Sequence, residues 1–150
     1  MLSLIRTDSG NEDFRALVKQ LDAWLAIIDG EDNAFYAKLN KIDKIKNAVV
    51  AFEDNKPVGC GAVRPVTKDA MEVKRMFTLP EYRKRGIAKA VLTELEKWSK
   101  ELGYQKCVLE TGKRQPEAID LYIRQGYRST PNYGQYVGVE NSVCFEKVLA

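Results

Sequence analysis

"EYRKRGIAKAVLTELEKWSKELGY", residues 81–104, changes character at its middle. Arg83, Lys84 and Arg85 lead into Gly86, Lys89 follows, and from Ile87 onward the pattern is amphipathic. Ile87, Val91, Leu95, Trp98 and Leu102 share one helical face, and Gly103 marks the helix end. "AMEVKRMFTL" (70–79) before it reads as a strand, and "QKCVLET" (105–111) after it as an apolar strand buried in the middle of a sheet. A strand that enters a helix through a glycine turn makes an anion site. The first helical amides have no intrahelical partner, and the helix dipole adds positive potential. Gly86 lets the backbone close on a phosphate, and the four cations add charge. A solvated basic helix start would carry the same charge, so the pattern has to be weighed with its context.

Working outward, "LSLIR" (2–6) reads as a strand, and Ser9 with Glu12 has the spacing of a capping box. Phe14, Leu17, Val18, Leu21, Trp24, Leu25 and Ile28 form a helical stripe that ends at Asp29-Gly30. Residues 31–46 are polar and read as a short helix plus loop. "AVVAFE" (48–53) and "PVGCGAVRPV" (57–66) form a hairpin around "DNK". Pro116 opens a helix through Gln125, with Ala118, Ile119, Leu121 and Tyr122 inward and Gly126 closing it. "SVCFEKVL" (142–149) is the terminal strand. The order β-α-(α)-β-β-β-α-β-α-β, with one central β-α-β crossover, predicts a mixed α/β sheet in a single domain spanning 1–150.

Composition narrows the chemistry. A chain of 150 residues buries about 68–70% of the surface its unfolded form exposes, enough for one core. Cys60, Cys107 and Cys144 are odd in number, share no close spacing and sit among apolar residues, so buried reduced thiols are expected. No apolar run reaches the roughly 18 residues of a membrane span, and no signal-peptide core opens the chain. The expectation is a cytoplasmic protein with no membrane partner. A net charge of +3 is too small for a general nucleic-acid binder, and no aromatic residues interleave the 83–89 patch. With no histidine, His-containing metal sites and Ser-His or Cys-His nucleophiles are excluded. No metal is expected. Catalysis would fall to carboxylate, tyrosine, cysteine, lysine or backbone groups.

"RKRGIA" (83–88) fits R/Q-x-x-G-x-G/A, and neither GxxxxGK[ST] nor GxGxxG occurs. "QPEAIDLYIRQGY" (115–127) fits N-x-x-A-x-x-L-Y-x-x-x-G-F/Y, departing only in Gln115 for Asn. On these two signatures and the element order from residue 2 to 149, the chain resembles the GCN5-related N-acetyltransferase (GNAT) superfamily. "GCGAVRPV", "EVKRMF", "LETGKRQPEAI" and "SVCFEK" are similar to a bacterial small-molecule branch. The resemblance implies a mostly antiparallel sheet flanked by helices, with acetyl-CoA as co-substrate. Its pyrophosphate would lie on Arg83, Lys84, Arg85, Gly86, Ile87, Ala88 and Lys89, with Gln115 from the second signature also at the cofactor. In the superfamily the strand before the cradle splays from its neighbour and pairs with the pantetheine arm. By position, main-chain groups of Met76, Phe77 and Thr78 would then polarise the thioester carbonyl.

Acetyl transfer to an amine needs a base, because alkyl amines are protonated near neutrality. Glu72 lies 11 residues ahead of Arg83, where a histone-modifying branch of the superfamily carries a general-base glutamate. On a regular strand Glu72, Lys74 and Met76 share one face, and Val73, Arg75 and Phe77 the other. Glu110 is the reserve base. Tyr122 matches the superfamily tyrosine that protonates the leaving thiolate, a role open to a phenol that keeps its proton. For the acceptor, Asp29, Glu31, Asp32, Phe35, Tyr36, Tyr133 and Tyr136 would suit a small cationic amine, whereas Arg64 and Arg75 would bind a carboxylate. The expectation is an N-acetyltransferase acting on a primary amine of a small molecule, with a protein or peptide acceptor as a variant. A non-catalytic CoA-binding sensor is the alternative. The sequence leaves the oligomeric state open, a homodimer included.

Overall fold

A two-residue turn organises the first half of the sheet. Asp54 and Asn55 adopt φ values of 50° and 69°, the left-handed pair of a tight hairpin. They join β2 (Asn47–Glu53) to β3 (Lys56–Pro65). The computed structural model describes residues 1–30 and 44–150. Around the hairpin lie β1 (Leu2–Thr7), α1 (Glu12–Asp29), β4 (Ala70–Thr78), α2 (Ile87–Glu101), β5 (Lys106–Gly112), α3 (Pro116–Arg124), β6 (Arg128–Thr130) and β7 (Ser142–Val148). The helix-plus-loop expectation for 31–46 lies mostly outside the described residues. β6 was not legible beforehand, since "RST" is too short to show a period.

The seven strands are ordered β1-β2-β3-β4-β5-β7-β6. Every neighbouring pair is antiparallel except β4 and β5, which are joined through α2 and run parallel. This is the mixed sheet with a central crossover that the element order predicts, mostly antiparallel as the resemblance implied. Ala48, Val49, Val50 and Ala51 are all 0% exposed. A strand buried on consecutive residues is covered on both faces, by α1 on one side and α2 on the other.

Local chemistry fixed both helices, with two corrections. The N-cap of α1 is Asn11, whose Oδ1 accepts from the Phe14 amide at 2.9 Å. Ser9 lies two residues ahead of that cap, and its amide donates to the Ile45 carbonyl, anchoring the chain there. On α2, Ile87, Val91 and Leu95 are buried as expected, but Leu102 is 50% exposed. The helix ends at Glu101, and the chain reverses with the Tyr104 amide donating to the Ser99 carbonyl.

The α2 face of β3 carries Gly59 and Gly61. A Cβ on Gly61 would sit 2.5 Å from Met76 Sδ and 2.9 Å from Leu95 Cδ1 and Val91 Cγ1. The bare glycine lets α2 lie directly on the sheet. Gly61→Ala forces those three side chains to move, and overpacking of this kind costs about 1–3 kcal/mol. Urea unfolding should show the midpoint falling accordingly, and an unchanged midpoint contradicts the close approach.

Candidate active site at the parting of β4 and β5

The only parallel pair among the described residues is brief. β4 and β5 pair at Ala70↔Lys106, Met71↔Cys107 and Glu72↔Val108, and not beyond. β4 nevertheless continues to Thr78, while Leu109 to Gly112 of β5 pair with β7 alone. The strands therefore part after Glu72, as the superfamily resemblance implied. A bulge in β4 accompanies the parting: Arg75 and Met76 together oppose the single residue Gly61, between the Ala62↔Lys74 and Cys60↔Phe77 pairs. Arg75 has φ 59°, an uncommon conformation for a side-chain-bearing residue. Its backbone is held from outside, because the Cys60 thiol donates to the Arg75 carbonyl at 3.4 Å. Its guanidinium pairs with Asp22 of α1.

The extra residue corrects the expected facing of β4. Glu72 and Lys74 do share a face, but Met76 turns to the α2 side, against Val91 and Leu95 of the Gly61 contact. Phe77 lies with Cys60 and Trp24 on the α1 side, where the Arg83 guanidinium stacks on both aromatic rings at 5.4 and 5.9 Å. A strict period of two fails at a bulge.

Glu72 sits where the strands part, on the α1 face, and is 2% exposed. A carboxylate buried this far needs donors, and it has them. Oε1 accepts from Arg64 Nε at 2.9 Å, Oε2 accepts from the Tyr133 hydroxyl at 2.6 Å, and Lys74 Nζ lies 3.7 Å from Oε1. Burial, then the Glu72 charge and its hydrogen bond, push the Tyr133 phenol well above its ordinary value. Burial likewise lowers the Lys74 ammonium, against the opposing pull of Glu72. Tyr133 reaches Glu72 from the loop between β6 and β7. The Asn132 amide fixes that loop by donating to the carbonyls of Tyr136, Val139 and Ser142 at 3.0–3.2 Å. Glu110, two residues past the last β4–β5 pair, accepts from Ser142 Oγ at 2.7 Å.

Tyr122 approaches from the other face. It is buried among Tyr127 and Phe145, with ring centroids 5.8 and 6.5 Å away. Burial first, and the Glu110 charge second, hold its proton firmly in place.

At the open end of the parting stands the N-terminus of α2. Gly86 is its N-cap, in left-handed conformation (φ 80°), and no side chain caps the helix. Its first turn holds no acidic residue. Lys84, Arg85 and Lys89 are exposed around it, and a Cβ on Gly86 would meet nothing within 4 Å. The unpaired amides thus face open space ringed by cations. Arg83 is committed elsewhere, since its Nε donates to the Thr78 carbonyl at 3.1 Å while its plane stacks on Trp24 and Phe77. Gln115 caps α3 with no side-chain hydrogen bond and lies beside Gly112 at the end of β5.

Arg64 and Tyr133 thus join Glu72, while Arg75 is spent on Asp22. Phe35 and Tyr36, with Glu31 and Asp32, lie outside the described residues, and Asp29 is the last residue of α1. Lys74 and Asn132 were missed. Lys74 was legible only as a strand residue beside Glu72, and Asn132 acts through a loop whose path the sequence does not reveal. The thiols are buried and free, with Cys60 pushed up to about 12 and Cys107 to about 11 by burial. Neither offers a ready thiolate. Among the described residues no cluster of three metal-ligating side chains occurs, and no helix is long and apolar enough to cross a membrane.

Comparison with known proteins agrees with this architecture. The sequence model of the acetyltransferase (GNAT) family matches residues 12–127. The chain is 31% identical to an IAA acetyltransferase from Azospirillum brasilense over 135 residues, covering 89% of this chain and 88% of that protein. A crystal structure from Klebsiella pneumoniae, named as an acyl-CoA N-acyltransferase, matches with TM-score 0.85 and 26% identity. The match covers 100% of this chain and 99% of that one. The PaiA N-acetyltransferase of Thermoplasma acidophilum, solved in complex with coenzyme A, matches with TM-score 0.74 over 99% of each chain. At 20% identity that likeness is one of fold.

Proposed function

The chain belongs to the acetyltransferase (GNAT) family, and on that premise we propose that it moves an acetyl group from acetyl-CoA to a primary amine of a small molecule by direct transfer. One observation carries the reading: β4 and β5 cease to pair after Glu72↔Val108, with a buried carboxylate on one face of the gap and a buried phenol on the other. The uncapped start of α2 lies at its open end.

Acetyl-CoA supplies the activated thioester, and the chain supplies the rest. The amides of residues 84–89, with Lys84, Arg85 and Lys89, take the pyrophosphate. Main-chain groups of Met76, Phe77 and Thr78 on the edge that β5 leaves open, other than the Thr78 carbonyl taken by Arg83, pair with the pantetheine arm and polarise the thioester carbonyl. Glu72 accepts a proton from the acceptor ammonium, which frees the nitrogen lone pair for attack on the carbonyl carbon. A carboxylate has about four lone-pair sites, so Glu72 can do this while Arg64 and Tyr133 hold it in place. As the C–N bond forms and the C–S bond breaks, the Tyr122 hydroxyl gives its proton to the leaving thiolate. The second proton, shed by the nitrogen as the amide forms, returns through water to Tyr122, and Glu72 releases its own to solvent, so that one proton leaves overall.

Release of free thiol from acetyl-CoA across amino acids, polyamines, aminoglycosides and peptides tests the activity itself. Turnover with peptides alone, or binding without turnover on any amine, overturns the small-molecule reading. Tyr122→Phe removes only the donor and should lower kcat by about 10²- to 10⁴-fold, the usual worth of a positioned acid, with acetyl-CoA affinity little changed. Full kcat with chemistry rate-limiting leaves Tyr122 a packing residue.

Glu72→Gln should bind acetyl-CoA normally and transfer slowly, with the defect shrinking as pH rises. The sign follows from the acceptor: at higher pH more amine is already neutral, so less depends on the base. A merely positioning residue gives a defect of constant size, and wild-type rates from about pH 6 to 9 remove Glu72 from the mechanism.

A further inference from the structure

Arg64 is anchored at one end and open at the other. Its Nε donates to Glu72 Oε1 across the β3–β4 register pair, yet 43% of its side chain remains exposed against 2% for Glu72. That bond uses one of five guanidinium N–H donors. Among the described residues Arg64 makes no other hydrogen bond or ion pair.

A carboxylate beside an arginine ordinarily turns to accept two parallel bonds. Here Oε2 accepts from the Tyr133 hydroxyl at 2.6 Å, while only Oε1 accepts from Arg64. Lys74 shares that same oxygen at 3.7 Å. The guanidinium is thereby fixed in plane by its Nε, while its Nη pair is left as a flat two-donor fork. Such a fork is matched in shape and charge by a carboxylate.

We propose that Arg64 anchors a carboxylate carried by the acceptor, so that the substrate is of the amino-acid class, with its amine close to its carboxylate. The proposal rests on the reading of Glu72 as the group that the amine approaches. Because Arg64 and Glu72 are hydrogen-bonded to each other, their ligand-facing edges are adjacent. The two groups of the acceptor must be equally near, as in an α- or β-amino acid. Polyamines fit poorly, because their second cation would be brought against Arg64 and Lys74, a like-charge contact that selects against them.

The test compares each of a panel of amino acids with its amide and with its decarboxylated amine, by mass spectrometry of the acetylated product. Wild type should favour the carboxylate form by about ten- to a hundredfold in kcat/KM, mostly through KM, the worth of a charge-assisted bond. The same ratio is then measured in Arg64→Gln and Arg64→Lys. It should fall to near unity in the first and to an intermediate value in the second, which keeps the charge but loses the fork. A general loss of activity through Glu72 affects both acceptors alike and cancels in the ratio. A ratio that survives Arg64→Gln, or a wild-type preference for the amide, overturns the assignment. Acetylation of carboxylate-free amines with no amino acid accepted overturns it too, and leaves acetyl transfer standing. Failure with every amine of both kinds overturns both readings.

Discussion

Two parallel strands that stop hydrogen-bonding after three residue pairs leave two rows of backbone groups unpaired in the middle of a sheet. Buried backbone groups without partners are costly, so such a gap persists only where something fills it or holds it open. Here β3 continues to pair β4 beyond Glu72, and β7 continues to pair β5. Each strand is thus secured by its outer neighbour while the inner edges diverge. The bulge at Arg75 and Met76 turns β4 away, and Cys60, Asp22 and the bare α-carbon of Gly61 hold it there. Everything proposed about catalysis depends on that opening, because it places one residue face against an acceptor and the other against a leaving group.

The two longer helices show how the same backbone chemistry is put to opposite uses. α1 begins with Asn11 as cap and with Glu12 and Asp13 in its first turn. Its orphan amides and dipole are therefore answered within the chain. α2 begins with Gly86, has no side-chain cap and no acid in its first turn, and stands among exposed cations. A helix start that omits its own compensation is suited to an external anion. Arg83 stacks on Trp24 of α1 and on Phe77 of β4, which ties this cradle to the bulged strand and to the helix above it.

The uncapped, cation-ringed start of α2 was legible in the sequence because its signals are local: a strand, a glycine, cations and a helix period in unbroken order. Glu72 stands out by its interval to Arg83, and Tyr122 by a helical signature, as candidates for the roles proposed for them. Features that depend on register across strands could not be read. An extra residue at Arg75 leaves no mark in the periodicity, so Met76 was assigned to the wrong face. Ser9 and Asn11 both suit a helix cap by residue type, and the cap falls at Asn11, with the Ser9 amide tied to Ile45. The company Glu72 keeps was half visible, since Arg64 and Tyr133 stood out as candidates for the acceptor. Lys74 did not, because a lysine on a strand ordinarily points to water.

The central claim is that the opening between β4 and β5 receives acetyl-CoA. Amide chemical shifts followed by NMR during titration with acetyl-CoA test it at each residue. Shifts should concentrate in Val73–Thr78 of β4, in residues 84–89 at the start of α2, and in residues 109–115 at the end of β5. The edge strand β1 should stay unmoved. Perturbations confined to other surfaces, with these three segments silent at saturation, would contradict the account.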